Sequence, residues 1–135
     1  MSHGVQYINP EGLPKNPAFS QAVITGKGKT IYVGGQNAVN EKAEIIGEGD
    51  LAGQTEQVMI NLRTALAACG AGLNNLVKLT IYIVQGQDLR QGFQASQKFL
   101  GDLKNPPAIS GLFVSALARP GLLVEIDAIA FVPEE

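Results

Sequence analysis

The stretch Val77-Lys78-Leu79-Thr80-Ile81-Tyr82-Ile83-Val84 places Val77, Leu79, Ile81 and Ile83 on one side of an alternating pattern. β-Branched and aromatic residues at a period of two predict a strand with one buried face. Helical patterns stand on both sides of it. Upstream, Leu51, Val58, Met59, Leu62, Ala65, Leu66 and Cys69 recur at steps of three and four, forming one apolar stripe. Asp50 is the expected N-cap and Gly70 the expected residue beyond the C-cap. Gln54, Gln57, Asn61 and Arg63 fall on the other, polar face, and Cys69 reads as a small buried hydrophobe on the stripe. Downstream, residues 88–100 predict a shorter helix anchored by Leu89, Phe93 and Leu100, and Pro106-Pro107 closes whatever precedes it.

Further out, residues 19–25 and 30–33 predict a hairpin around the turn at 26–29. Gly34-Gly35 at its end predicts a bulge or a close backbone approach. Residues 109–117 and 122–132 read as strands joined through Arg119-Pro120-Gly121, and residues 9–17 as an extended lead-in. Two helices then cover one face of a mixed sheet, an α/β (α+β) arrangement in a single domain over residues 1–135. Thr25, Tyr32, Tyr82 and Leu112 are expected on the opposite face. No third helix exists to cover them, so sister subunits are the expected cover.

Composition argues the same way. Of 135 residues, 45% are apolar and 16% charged, against about 25% charged in a typical soluble protein. Such a chain is too apolar to be disordered. It is also short of charge for a small monomer's surface.

The formal net charge is −2, with the basic residues scattered, so no nucleic-acid interface is expected. One cysteine excludes an internal disulfide. The opening residues have no apolar signal core and no segment approaches the roughly 20 residues of a membrane span, so a cytoplasmic address is expected. Gly28-Lys29-Thr30 lacks the earlier glycine of a phosphate loop and leads into a strand, so it reads as a turn. His3 is the single histidine, and with one Cys there is no zinc set and no nucleophile relay.

Glu125 and Asp127 are the sharper signal. They share a face of a strand otherwise built of Leu, Val, Ile and Ala. A carboxylate there must be solvated, paired or functional. The residues leave both readings open: a structural carboxylate capped by amides or water, or an acid–base group.

Four segments carry a resemblance: Phe19-Ser20-Gln21-Ala22-Val23; Val33-Gly34-Gly35-Gln36; residues 54–70 continuing into Asn75-Leu76-Val77-Lys78-Leu79-Thr80-Ile81-Tyr82; and Leu122-Leu123-Val124-Glu125-Ile126-Asp127-Ala128-Ile129-Ala130. In order and spacing the chain resembles the RidA (YjgF) family. The resemblance implies a chorismate-mutase-like fold with a mixed six-stranded sheet, two helices on one face, and a homotrimer. It also implies interfacial clefts that bind a small molecule, with no cofactor and no metal. The usual member hydrolyses 2-imino acids.

Position by position, the implied cleft departs from the pattern. Ile109 stands where the family's carboxylate-gripping arginine belongs, and isoleucine offers neither charge nor a bidentate fork. Phe19 replaces a tyrosine, Gly34 a serine and Gly111 a cysteine, while Gly35 is kept and Gln94 is the nearest match to an asparagine. Glu125 is retained where the family positions its water. Arg119 is set too far along the strand to replace the arginine within one chain. The expectation is therefore a small ligand that is not anionic, held by Phe19, Gly34, Gly35, Gln94, Ile109 and Gly111, with Glu125 catalytic if any hydrolysis of an imine, amide or carbonyl compound occurs. The other readings are a non-enzymatic ligand-binding or regulatory protein and, after it, the usual imine/enamine deaminase activity retained by other residues, or an endoribonuclease or translation inhibitor.

Overall fold

A computed structural model describes residues 4–135, so His3 lies outside the described residues. Strands β1 (Val5–Ile8), β2 (Ala22–Thr25) and β3 (Gly28–Asn37) precede helix α1 (Leu51–Ala68). Strand β4 (Leu76–Val84), helix α2 (Leu89–Leu100), and strands β5 (Ala108–Val114) and β6 (Val124–Pro133) follow. The alternating stretch is thus β4, and it lies inside a four-stranded sheet of order β3-β6-β4-β5. It runs antiparallel to β6 and parallel to β5. A parallel neighbour needs a crossover connection, and α2 supplies it.

Burial along β6 alternates. Val124, Ile126, Ala128 and Ala130 are buried, and Glu125, Asp127 and Ile129 are half-buried on the other side. The buried set meets Val58, Met59, Leu62 and Leu66 of α1, with Leu79 and Val33 from the neighbouring strands. Each such large side chain contributes about 1.5–3 kcal/mol by leaving water. α1 ends as its glycine predicts. Gly70 takes φ +76°, its N–H donates to Ala67 O at 3.1 Å, and the Ala71 N–H donates to Leu66 O at 2.9 Å.

The structure corrects four expectations. First, the six strands do not form one sheet: β1 and β2 make a separate antiparallel pair with Val5 opposite Thr25. The hairpin between β2 and β3 is therefore absent. β3 is committed to β6 from its first residue, and a Cβ at Gly28 would strike the Val132 carbonyl and the Phe131 ring. Second, Gln54 is fully buried. Its Nε2 donates to Gly47 O (3.2 Å) and Gly121 O (2.9 Å), and its Oε1 accepts from the Leu123 N–H (2.8 Å). A buried amide with both N–H groups and its oxygen bonded tolerates burial, which periodicity cannot show.

Third, Cys69 is exposed, because it is the C-cap at which the chain leaves the helix. Fourth, Leu89 and Phe93 do not anchor α2: they are 47% and 53% exposed. The helix instead seats Gly92 and Ala95 inward, and a Cβ at Gly92 would lie 3.3 Å from Leu51 Cδ2. The small residues let the backbones approach.

The sheet face away from the helices is more polar than expected. Tyr82 Oη donates to Asp127 Oδ2 at 2.9 Å, and Lys78 Nζ to Ser110 Oγ at 2.7 Å. Tyr32 (77% exposed) and Leu112 (44%) are its exposed large apolar members, with Ile129 half-buried between them. Among the described residues no helix is long and apolar enough to cross a membrane.

Candidate functional site

Glu125 owes its setting to a bulge in β3. Val33 pairs with Ala128 and Gln36 with Ile126, so Gly34 and Gly35 together oppose Asp127. The extra residue resets the alternation, and Asn37 comes opposite Glu125. Asn37 Nδ2 donates to Glu125 Oε1 at 3.0 Å. A Cβ at Gly35 would overlap the Glu125 carboxylate, lying 2.7 Å from Cδ. Glycine there lets the carboxylate fold over the bulge, which is the close approach the sequence predicts.

Asn37 is itself held. Asn61 Nδ2 donates to the carbonyls of Asn37 and Val39, each at 2.9 Å, and Asn61 Oδ1 accepts from Gln57 Nε2 at 2.9 Å. Two side chains read as the solvent face of α1 thus fasten the end of β3. Sequence reasoning missed Asn37. Its signal was a carboxamide just after Gly-Gly, across from a strand that carries acids.

Across β4, Tyr82 pairs directly with Glu125. The hydrogen bond to Asp127 raises the Tyr82 phenol above the usual tyrosine value, with burial and the charges of Asp127 and Glu125 adding to it. This face thus gathers a carboxylate with one anchored oxygen, a phenol and a second carboxylate.

On the opposite face lies an apolar groove of about 270 Å³ between α2 and the β5 edge. Leu89 and Phe93 form one wall, and Ile81, Ile83, Gly111 and Phe113 the sheet side. Of the seven residues expected in the cleft, the groove contains Gly111. Gln94 is exposed on α2, and its neighbour Phe93 takes the wall position instead. Ile109 pairs with Leu79 and packs half-buried against the core.

Phe19 is brought to the start of β5. Ser20 forms an isolated parallel bridge with Ala108, its N–H donates to Pro107 O at 3.0 Å and its hydroxyl to Pro106 O at 2.6 Å. Gly34 is exposed, and its carbonyl accepts from Gln36 Nε2 at 3.0 Å. Arg119 is engaged away from Ile109 within the chain: its Nη1 donates to Ala43 O at 2.8 Å. Ala43 adopts φ +63°, a conformation rare for a residue with a Cβ, and this contact helps hold it.

Within one chain the seven residues therefore fall into separate groups. Glu125, Tyr82 and Leu112 align across β6, β4 and β5 on the open face, and Gly111 points to the helix face. Among the described residues no group of three or more His, Cys, Asp or Glu is placed to hold a metal ion.

The comparisons with known proteins agree with this architecture. The family model described as Endoribonuclease L-PSP matches residues 13–132. A RutC family protein of Pyrococcus horikoshii is 33% identical over 127 residues, covering 93% of this chain and 97% of its own. The 2-iminobutanoate/2-iminopropanoate deaminase of Rattus norvegicus is 32% identical, with 84% and 79% covered. A crystal structure of a Rid family protein of unknown function from Yersinia pestis superposes with a TM-score of 0.86 at 35% identity, covering 96% and 99% of the two chains. With its two helices on a mixed sheet and a family match across almost its whole length, the chain belongs to the Endoribonuclease L-PSP family, that of the RutC and RidA (YjgF) proteins.

Proposed function

We propose that the chain works as a homotrimer whose ligand sites lie between copies, each built from the groove of one copy and the Glu125–Gly35 corner of the next. The separation of Gly111 and Glu125 onto opposite faces of one sheet carries this reading. A repeated head-to-tail contact closes into a ring when each step turns by a third of a circle. The uncovered polar sheet face then turns inward.

The chemistry is hydrolysis of a small imine that bears no carboxylate. The deaminase of Rattus norvegicus is named for 2-imino acids, but here Ile109 removes the expected counter-charge for such an anion. Asn37 occupies Glu125 Oε1, and Oε2 remains to accept a proton from water. As the water oxygen bonds to the imine carbon, the C=N π pair moves to nitrogen. Glu125 then returns the proton to nitrogen, giving the carbinolamine. It next takes the hydroxyl proton and passes it to nitrogen. The oxygen pair closes to C=O as the C–N bond breaks with its pair on nitrogen, and ammonia and a carbonyl compound leave.

Ammonia release from acetone imine and from 2-iminobutanoate tests this. The uncharged imine should turn over faster, and Glu125→Gln should lower its rate about 100-fold. Efficient hydrolysis of 2-iminobutanoate overturns the substrate reading. Unchanged turnover in Glu125→Gln removes the carboxylate from the chemistry. The Asn37–Glu125 pair is then structural, and absence of any turnover in the parent protein favours a ligand-binding role.

A further inference from the structure

We propose that the groove between α2 and β5 binds an aromatic or branched aliphatic group, so that the ligand class is uncharged imines, amides and carbonyl compounds carrying such a group. This deepens the reading above and rests on its placing the groove in the ligand cleft.

The groove is apolar by construction. None of the residues that line it carries an ionisable side chain. Its two hydroxyls are committed to their own helices: Thr55 Oγ1 donates to Leu51 O and Ser96 Oγ to Phe93 O, each at 2.8 Å. A carboxylate entering here loses hydration and meets no counter-charge and no free side-chain donor. A ring or branched chain loses nothing of the kind and covers Leu89, Phe93 and Phe113, which are 47%, 53% and 49% exposed.

Gly111 is what holds the space open. Its φ is not positive, so the backbone does not demand glycine, and a Cβ there would meet nothing within 4 Å. Any side chain at 111 would project into the groove rather than into packed atoms. The floor at Gly92 differs, since a Cβ there meets Leu51 at 3.3 Å. The volume of about 270 Å³ exceeds the roughly 150 Å³ that suffices to hold benzene in an apolar cavity. It lies just below the usual range of small-molecule sites, about 300–1,000 Å³. One ring or one branched chain fits, with its polar end left at the mouth.

Two isosteric pairs test the charge and the shape separately: phenylacetamide against phenylacetate, and 3-methylbutanamide against 3-methylbutanoate. Binding to the 15N-labelled protein is read from its amide resonances. Both amides should shift Gly92, Gly111 and Phe113, and bind about tenfold or more tighter than their acids. Gly111→Val should weaken the amides by about tenfold or more while keeping the parent melting temperature, and Gly111→Ala should fall between.

Acids that bind as tightly as the amides overturn the proposal. So do undiminished binding in Gly111→Val and silence of the groove to all four probes, which would assign it to protein contact. Amide binding without any imine hydrolysis overturns the hydrolase reading alone. Imine hydrolysis in a protein that prefers the acids overturns this inference alone.

Discussion

The Asn37 carboxamide and the Glu125 carboxylate, 88 residues apart in sequence, meet in a single 3.0 Å hydrogen bond at the end of the β3 bulge. Removing the donor leaves a half-buried carboxylate oxygen unpaired. Asn37→Leu should cost about 1–2 kcal/mol, read as a lower urea midpoint. Asn37→Asp should cost more above pH 5, because two carboxylates then face each other.

Gly35→Ala should separate fold from site. The obstacle to its Cβ is the far end of the Glu125 side chain, not backbone. The carboxylate should swing away with a stability change within about 1 kcal/mol. Urea denaturation reads the first effect. Loss of the downfield, protected Asn37 side-chain amide signal reads the second.

Gln54→Leu should be among the most damaging single changes in the chain. It takes the partner from the Gly47 and Gly121 carbonyls and the Leu123 N–H, three part-buried groups that all meet one fully buried side chain. Three lost partners at roughly 1 kcal/mol or more each predict a loss of about 3–5 kcal/mol, measured by urea denaturation. Gln54→Met, which keeps the volume, should recover little of it.

Tyr82 sets an alkaline limit. Its phenol is raised above 10.0 in the folded protein by the bond to Asp127. The unfolded chain therefore ionises first, so this contribution to stability is complete below pH 10 and is lost as pH rises through the folded value. Unfolding midpoints should fall as pH rises above about 10, and Tyr82→Phe should flatten that decline.

Cys69 should react with an aromatic disulfide reagent in the native state at one thiol per chain, because it is exposed at the helix end. Cys69→Ser should change stability by less than about 0.5 kcal/mol.

Both helices, the central strand and the Gly34-Gly35 bulge were legible because each has a local cause: periodicity, a cap, or paired glycines. β1 was not, because four residues before a proline-containing lead-in carry too little pattern, and its partner is chosen in space. Gln54 and Cys69 misled for one reason. A helical wheel assigns faces by residue type, whereas burial here follows where the helix ends and which backbone groups need a partner. Phe93 and Leu89 fit the apolar pattern of a buried face, and the same pattern also suits a ligand wall. Glu125 was legible as an anomaly, but the identity of its clamp was not, since a one-residue bulge decides which side chain of β3 reaches it.

That alternation has a genetic consequence. Glu125 sits two strands in from the β5 edge, and the sheet stands between it and Gly111. A small ligand that touches both must touch two chains. With sites between copies as proposed, a protein carrying Glu125→Gln and another carrying Gly111→Val, each impaired alone, should complement one another when coexpressed, because some junctions then pair an intact groove with an intact carboxylate. Defects in these two residues would behave as separate complementation groups within one gene.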